Sequence, residues 1–173
     1  IPANDIKEIF AAVRSKALSD IDEESKPEHE KEAARMLACA VIDAVEKSEL
    51  TGKSNGGLTV LLSESQATLL AGAYVADPSS LEEAVRKLAA KAVEQEPKLK
   101  PYIKLDAETF KGVELHTMNL PIPDDADDRE KVVSLVGEEL DVVVGIGKQA
   151  IYFGIGRDAT TNLKTAVAES AKN

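Results

Sequence analysis

Apolar residues recur at spacings of three and four from Ile6 through Ile9, Phe10, Val13 and Ala17 to Ile21, the period of a helix with one apolar stripe. Asn4 or Asp5 stands ahead of it as a cap, and Glu8, three residues after Asp5, completes a capping box. The polar run Asp22 to Lys26 interrupts this pattern, and Pro27 suits the first turn of a second helix. Glu28, Glu30 and Glu32 lie near the positive end of that helix and Lys47 near its negative end. Its apolar side is expected to run through Ala34, Leu37, Val41, Ala44 and Val45.

Thr51 to Gly57 is dense in helix breakers, and beyond it the apolar period falls to two. Leu58 to Leu62 and Leu69 to Val75 therefore read as the strands of a hairpin. Asp77 and Pro78 open a third helix with Leu81, Val85, Leu88 and Val93 as its stripe and Ser80 with Glu83 as a capping box. Pro97 and Pro101 bracket its end. Tyr102 to Leu105 is a short extended piece, and Gly112 to Ile122 is a strand stopped by Pro121 and Pro123. Asp124 to Asp128 lead into a short helix carrying Val132, Val133 and Val136, with Gly137 as its C-terminal cap. A second hairpin, Asp141 to Gly147 with Ala150 to Gly156, is expected to turn at Gly147 and Lys148 with Gly147 in the first central position of a type II′ turn. That turn would pair residue 144 with 151 and 142 with 153. Val142, Val144, Ile146, Ile151, Phe153 and Ile155 then share one core face. Glycines at period two occupy the other, leaving a closely packed surface, a wet one or a ligand platform. Asp158 to Asn162 cap a last helix through Leu163, Ala166, Val167 and Ser170.

Sliding the chain on itself by 82 residues lays Leu58 on Leu140, Val60 on Val142, Gly72 on Gly154 and Leu81 on Leu163. Ala84, Val85 and Ala89 likewise fall on Ala166, Val167 and Ala171. The expected fold is α+β: one domain with a mainly antiparallel sheet of five or six strands and helices on one face. Two related helix-hairpin-helix units, about 58–91 and 140–173, would build it. A groove between such copies is a natural binding place.

Composition narrows the function. The 173 residues carry 21 Lys and Arg against 31 Asp and Glu, a net charge of −10, which repels phosphate backbones and anionic headgroups. With three Tyr, three Phe and no Trp, stacking platforms for bases are scarce. No nucleic-acid partner is expected. Nor is a membrane span, since no apolar run approaches the roughly 20 residues a crossing helix needs. The single cysteine, Cys39, cannot form an intrachain disulfide and reads as a small buried residue on the second helix. The chain opens on Ile1, which suggests a processed mature protein or a piece of a longer one.

Motifs that suggest chemistry lack its context. Val142 to Ala150 contains G-x-G-x-x-A after an apolar run, but a dinucleotide fingerprint requires a helix to begin there, whereas Ile151, Phe153 and Ile155 alternate as a strand. Thr51 to Ser54, TGKS, resembles the end of a phosphate loop, yet Lys47 stands where the first glycine belongs. Asp124, Asp125, Asp127, Asp128 and Glu130 lack the alternation, central glycine and terminal glutamate of a calcium loop. His29 belongs to the first turn of an acidic helix. His116 shares a strand face with Glu114, Met118 and Leu120, so Glu114 could set its charge or tautomer.

Lys111 to Pro123, KGVELHTMNLPIP, and the hairpin LDVVVGIGKQAIYFGIGRDATTNL resemble segments of large exported bacterial proteins of uncharacterised function. The resemblance covers about residues 100–170 and implies an extracytoplasmic setting, periplasmic or secreted. No catalytic motif accompanies it. The expected function is a noncatalytic binding or structural module contacting a protein or cell-envelope partner. Catalytic residue, cofactor and metal are each expected to be none. One alternative is a small apolar-ligand carrier with a pocket between sheet and helices. The other is an enzyme using Glu114 and His116.

Overall fold

The computed structural model describes residues 2–53, 55–124 and 128–170. Helices α1 (Ala3–Glu23) and α2 (Glu28–Leu50) form an antiparallel pair, tied by Arg14 to Asp43 at 2.6 Å and by Arg35 to Asp22 at 2.5 Å. Three hairpins follow, each leading into a helix. They are β1 (Gly56–Ser63) and β2 (Gln66–Tyr74) before α3 (Ser79–Gln95); β3 (Ile103–Phe110) and β4 (Val113–Pro121) before α4 (Arg129–Val136); and β5 (Glu139–Ile146) and β6 (Ala150–Gly156) before α5 (Ala159–Ser170). A 3₁₀ turn over Pro97–Tyr102 joins α3 to β3. The six strands make one antiparallel sheet in the order β1-β2-β6-β5-β4-β3. The architecture is α+β.

The sheet has helices on both faces, not one. Successive residues of a strand point to opposite sides, and α5 lies on the side of Leu70, Leu115 and Val143. Against them it buries Ala159, Leu163 and Val167, each at most 3% exposed. The other side, carrying Val142, Val144, Ile151 and Phe153, faces α3 and α2. Burying one Leu or Val side chain contributes about 1.5–3 kcal/mol, so the face beneath α5 is the main core.

Glycine makes room for the large side chains of that face. Cβ atoms at Gly145 and Gly154 would each meet a valine methyl at 2.9 Å, and one at Gly72 would meet the Tyr152 ring at 2.9 Å. The period-two glycines are thus a tightly packed surface beneath α5.

The β5–β6 ladder corrects the expected pairing. Val144 pairs with Phe153, Val142 with Ile155 and Ile146 with Ile151. The turn sits one residue later than expected, at Lys148 and Gln149, closed by Gly147 N–H donating to Ala150 C=O at 2.8 Å. Gly147 is not among the positive-φ glycines, so the type II′ turn does not form. The shift is two residues, and a shift of two leaves every side chain on its expected face. The repeat units are not shown as copies. The β1–β2 ladder closes between Glu64 and Ser65 and the β5–β6 ladder between Lys148 and Gln149, 84 residues on, while α3 and α5 occupy opposite faces. Ala171, part of the sequence match, lies outside the described residues, as do Ile1 and Ser54.

Local signals at the helix ends fare unevenly. The capping boxes at Asp5/Glu8 and Ser80/Glu83 do not form, Pro2 and Pro78 occupying the N-cap positions. Pro27 likewise sits at the N-cap of α2, one residue ahead of its first turn. Gly137 does end α4, at φ +93° with its N–H on Val133 C=O at 2.9 Å. Strand β3 is longer than the extended piece read from sequence. A bulge between Lys104 and Glu108, with Asp106 at φ +51°, breaks its alternation.

Candidate functional site: an apolar cleft between sheet and helices

Helix α2 packs on α3 through small side chains. Ala40, Ala44 and Ala84 are buried together with Leu81 and Val75. Alanine contacts bring two helices close and turn the larger residues of α2 away from their seam. Leu37, Val41 and Val45, expected as core, are 44%, 40% and 38% exposed. Leu37 and Val41 instead line a cleft of about 540 Å³ between the helices and the sheet. Its floor is Met118, Val142, Val144, Ile151 and Phe153, and its α3 wall is Leu81, Val85 and Leu88. Of the residues predicted as the core face of the second hairpin, Val142, Val144, Ile146, Ile151 and Phe153 therefore line an open apolar space, and Ile155 does not.

Polar contacts hold the walls at this separation. Ser48, 4% exposed, donates from Oγ to Ala44 C=O at 2.6 Å and accepts from Ala76 N–H at 2.9 Å, pinning the end of α2 to the β2–α3 connection. Lys47 pairs with Asp77 at 2.8 Å in the same place, and Lys91 pairs with Glu32 at the opposite end of the helix pair. Arg86 of α3 reaches β3 through a two-pronged contact, Nη1 and Nη2 donating to the Asp106 carboxylate at 2.9 and 2.7 Å. Arg86 holds the Asp106 carboxyl below the ordinary range, and Lys47 does the same for Asp77.

His116 is the titratable imidazole of the lining, which also holds Thr117 and Tyr152. It is 4% exposed, and its Nδ1 accepts from the Asp106 backbone N–H at 3.0 Å, with the Asp106 carboxylate at 3.6 Å. An accepting Nδ1 leaves the proton of the neutral ring on Nε2, and Nε2 has no partner among the described residues. Burial pushes the imidazole below its ordinary pKa of 6.5, outweighing the opposing pull of Asp106. The tautomer is thus set by Asp106, brought into position by the β3 bulge. Glu114, the expected partner, is exposed and lies outside the lining.

The remaining sequence candidates are dispersed. His29 is exposed at the start of α2, and Cys39 is half-buried on the same helix, where full burial was expected. Asp125 and Asp127 lie outside the described residues. Among the described residues no group of His, Cys, Asp and Glu is arranged to hold a metal, and no helix is long and apolar enough to cross a membrane. The G-x-G-x-x-A segment leads into β6, so no helix N-terminus faces it. No protein-family model matches the chain, and neither does any curated protein or solved structure.

The role of α2 in the cleft was not legible from its pattern. Its stripe is indistinguishable in sequence from a core stripe, and only the alanine seam with α3 separates the two.

Proposed function

We propose that this chain is a noncatalytic binding module that takes a small, largely aliphatic ligand in the cleft between its sheet and helices α2 and α3. The observation carrying this reading is the combination of about 540 Å³ of space with a lining mainly of Leu, Val, Ile, Ala, Met and Phe side chains, joined by His116, Thr117 and Tyr152. Ligand sites typically occupy 300–1,000 Å³ and combine apolar walls with a few polar groups. The neutral His116 fits that sparse polar role. An enzyme built on Glu114 and His116 is supported less well, because the two do not share the cleft and the imidazole is engaged at Nδ1 by a backbone amide.

Titration of the full chain with the neutral fluorophore N-phenyl-1-naphthylamine tests the reading; a neutral probe is preferred because the net charge of −10 disfavours anionic dyes. Saturable binding, displaced by medium-length alkanols and abolished by Val144→Trp, is the expected result. Binding that survives Val144→Trp in a folded protein would place the site elsewhere and overturn the assignment.

A further inference from the structure

The two edges of the sheet are built differently. At one edge, β3 carries Lys104, Asp106 and Glu108 and is distorted by its bulge, the devices by which natural proteins prevent edge-to-edge pairing. At the other, β1 runs for eight residues, Gly-Gly-Leu-Thr-Val-Leu-Leu-Ser, with no charge, proline or bulge in its pairing to β2. Every residue of β1 except Leu61 is exposed, and Leu58, Val60 and Leu62 are 66%, 59% and 74% exposed on one face.

The backbone phase of β1 follows from one bond. Tyr74 N–H donates to Asn55 C=O at 2.7 Å, and antiparallel partners alternate between bonded and non-bonded pairs. In the observed register the odd-numbered residues of β1 turn their main-chain groups toward β2, and Gly56, Leu58, Val60 and Leu62 turn theirs to the open edge. The outward amides and carbonyls therefore belong to the residues with the exposed aliphatic side chains.

We propose that β1 is a homodimerisation edge. Two copies pair β1 with β1 antiparallel about a twofold axis at Val60, merging two six-stranded sheets into one continuous sheet. This register sets Leu58 against the partner's Leu62 and Val60 against the partner's Val60. It matches outward donors to outward acceptors, forms about six hydrogen bonds, and keeps all six aliphatic side chains on one face. A second copy is the favoured occupant because the outward-bonding residues Leu58, Val60 and Leu62 present the same apolar and hydrogen-bonding pattern in either direction. Such an edge contact buries roughly 1,000 Å², the lower limit for a specific interface, so the dimer is concentration-dependent. Each copy carries −10, so screening their mutual repulsion strengthens the contact as salt rises. The proposal stands independently of what the cleft binds.

Sedimentation equilibrium of the full chain from about 1 to about 500 µM decides it. The expected mass rises from 18.5 kDa to twice that value, with a midpoint at ~10–100 µM that moves lower when salt is raised. Val60→Pro removes an N–H that faces outward and breaks no bond to β2, and Val60→Lys sets two like charges together at the axis. Each is expected to raise the midpoint at least about tenfold while circular dichroism stays unchanged. A monomer throughout the range, growth beyond a dimer, or a dimer indifferent to both variants would overturn the proposal. Monomers that instead capture a foreign strand at β1 would count against a second copy as the occupant.

Discussion

Asp141 of β5 caps the N-terminus of α5 through Thr160. Its Oδ2 accepts from the Thr160 backbone N–H at 2.8 Å and its Oδ1 from the Thr160 hydroxyl at 2.9 Å. The carboxylate comes from a neighbouring strand and not from the helix's own N-cap, so the contact fixes where α5 starts on the sheet as well as satisfying an otherwise free helix amide. Asn119 adds a third bond to the same carboxylate at 3.3 Å.

Replacing Asp141 by Ala is expected to cost about 1–2 kcal/mol, the range for loss of a helix cap, and Asp141→Asn less. Urea unfolding of the three proteins measures this. Equal stability of wild type and Asp141→Ala would show that the cap contributes nothing.

Core and cleft should respond in opposite ways to substitution. Leu115→Ala, at a side chain 1% exposed beneath α5, is expected to destabilise by about 2–5 kcal/mol. Leu37→Ala, at a cleft side chain 44% exposed, should cost less than about 1 kcal/mol while weakening probe binding. Paired unfolding and fluorescence titrations of both variants check this. A large stability loss at Leu37 would make the helix-sheet space a packed interface.

Gly156 stands at φ +117°, where an added Cβ would sit 2.1 Å from Ala67 C=O, whereas at Gly57 it would meet nothing within 4 Å. Gly156→Ala combines backbone strain with a main-chain clash and is expected to cost about 3 kcal/mol or more. Gly57→Ala should stay within about 0.5 kcal/mol. Thermal unfolding of the pair is the measurement, and similar melting temperatures would refute the expectation.

The His116 ring titrates below its ordinary value in the folded protein because burial opposes its charge. The unfolded chain therefore takes up the proton first. Stability is flat above about pH 6.5 and declines as pH falls toward the depressed folded value, by at most about 1.4 kcal/mol per pH unit. In His116→Gln, whose side-chain carbonyl can still accept from Asp106 N–H, that decline should vanish. Urea midpoints between about pH 5 and 8 would show it, and an identical decline in the variant would exclude His116. The exposed carboxyls of Glu32, Asp77, Glu83 and Asp106 titrate below their ordinary range. Their contribution holds at neutral pH and is lost only as pH falls below about 4.

Much of the secondary structure could be read without coordinates, because it depends on local periodicity. The alternation of Val142, Val144 and Ile146 against Val143 and Gly145 assigned those residues to their faces even though the pairing had slipped by two, since strand parity survives an even shift. The turn was placed one residue too early because a glycine at 147 fits the turn itself and also the position just ahead of it, where the structure has it. Asp106 was invisible for the same kind of reason. A bulge depends on the partner strand, and without it nothing links Asp106 to His116 or Arg86.

The sequence by itself determined which residues are apolar, on which side of each element they lie, and where glycine and proline end those elements. Tertiary structure decided which apolar stripes became core. Leu163 and Val167 are buried because Leu70, Leu115 and Val143 of three different strands meet them beneath α5, while Leu37 and Val41 stand over open space because alanines draw α2 toward α3. Periodicity orients a side chain about its own helix or strand axis. How far away the opposing surface stands depends on the volumes of residues distant in the chain, and that distance separates a packed interior from a binding cleft.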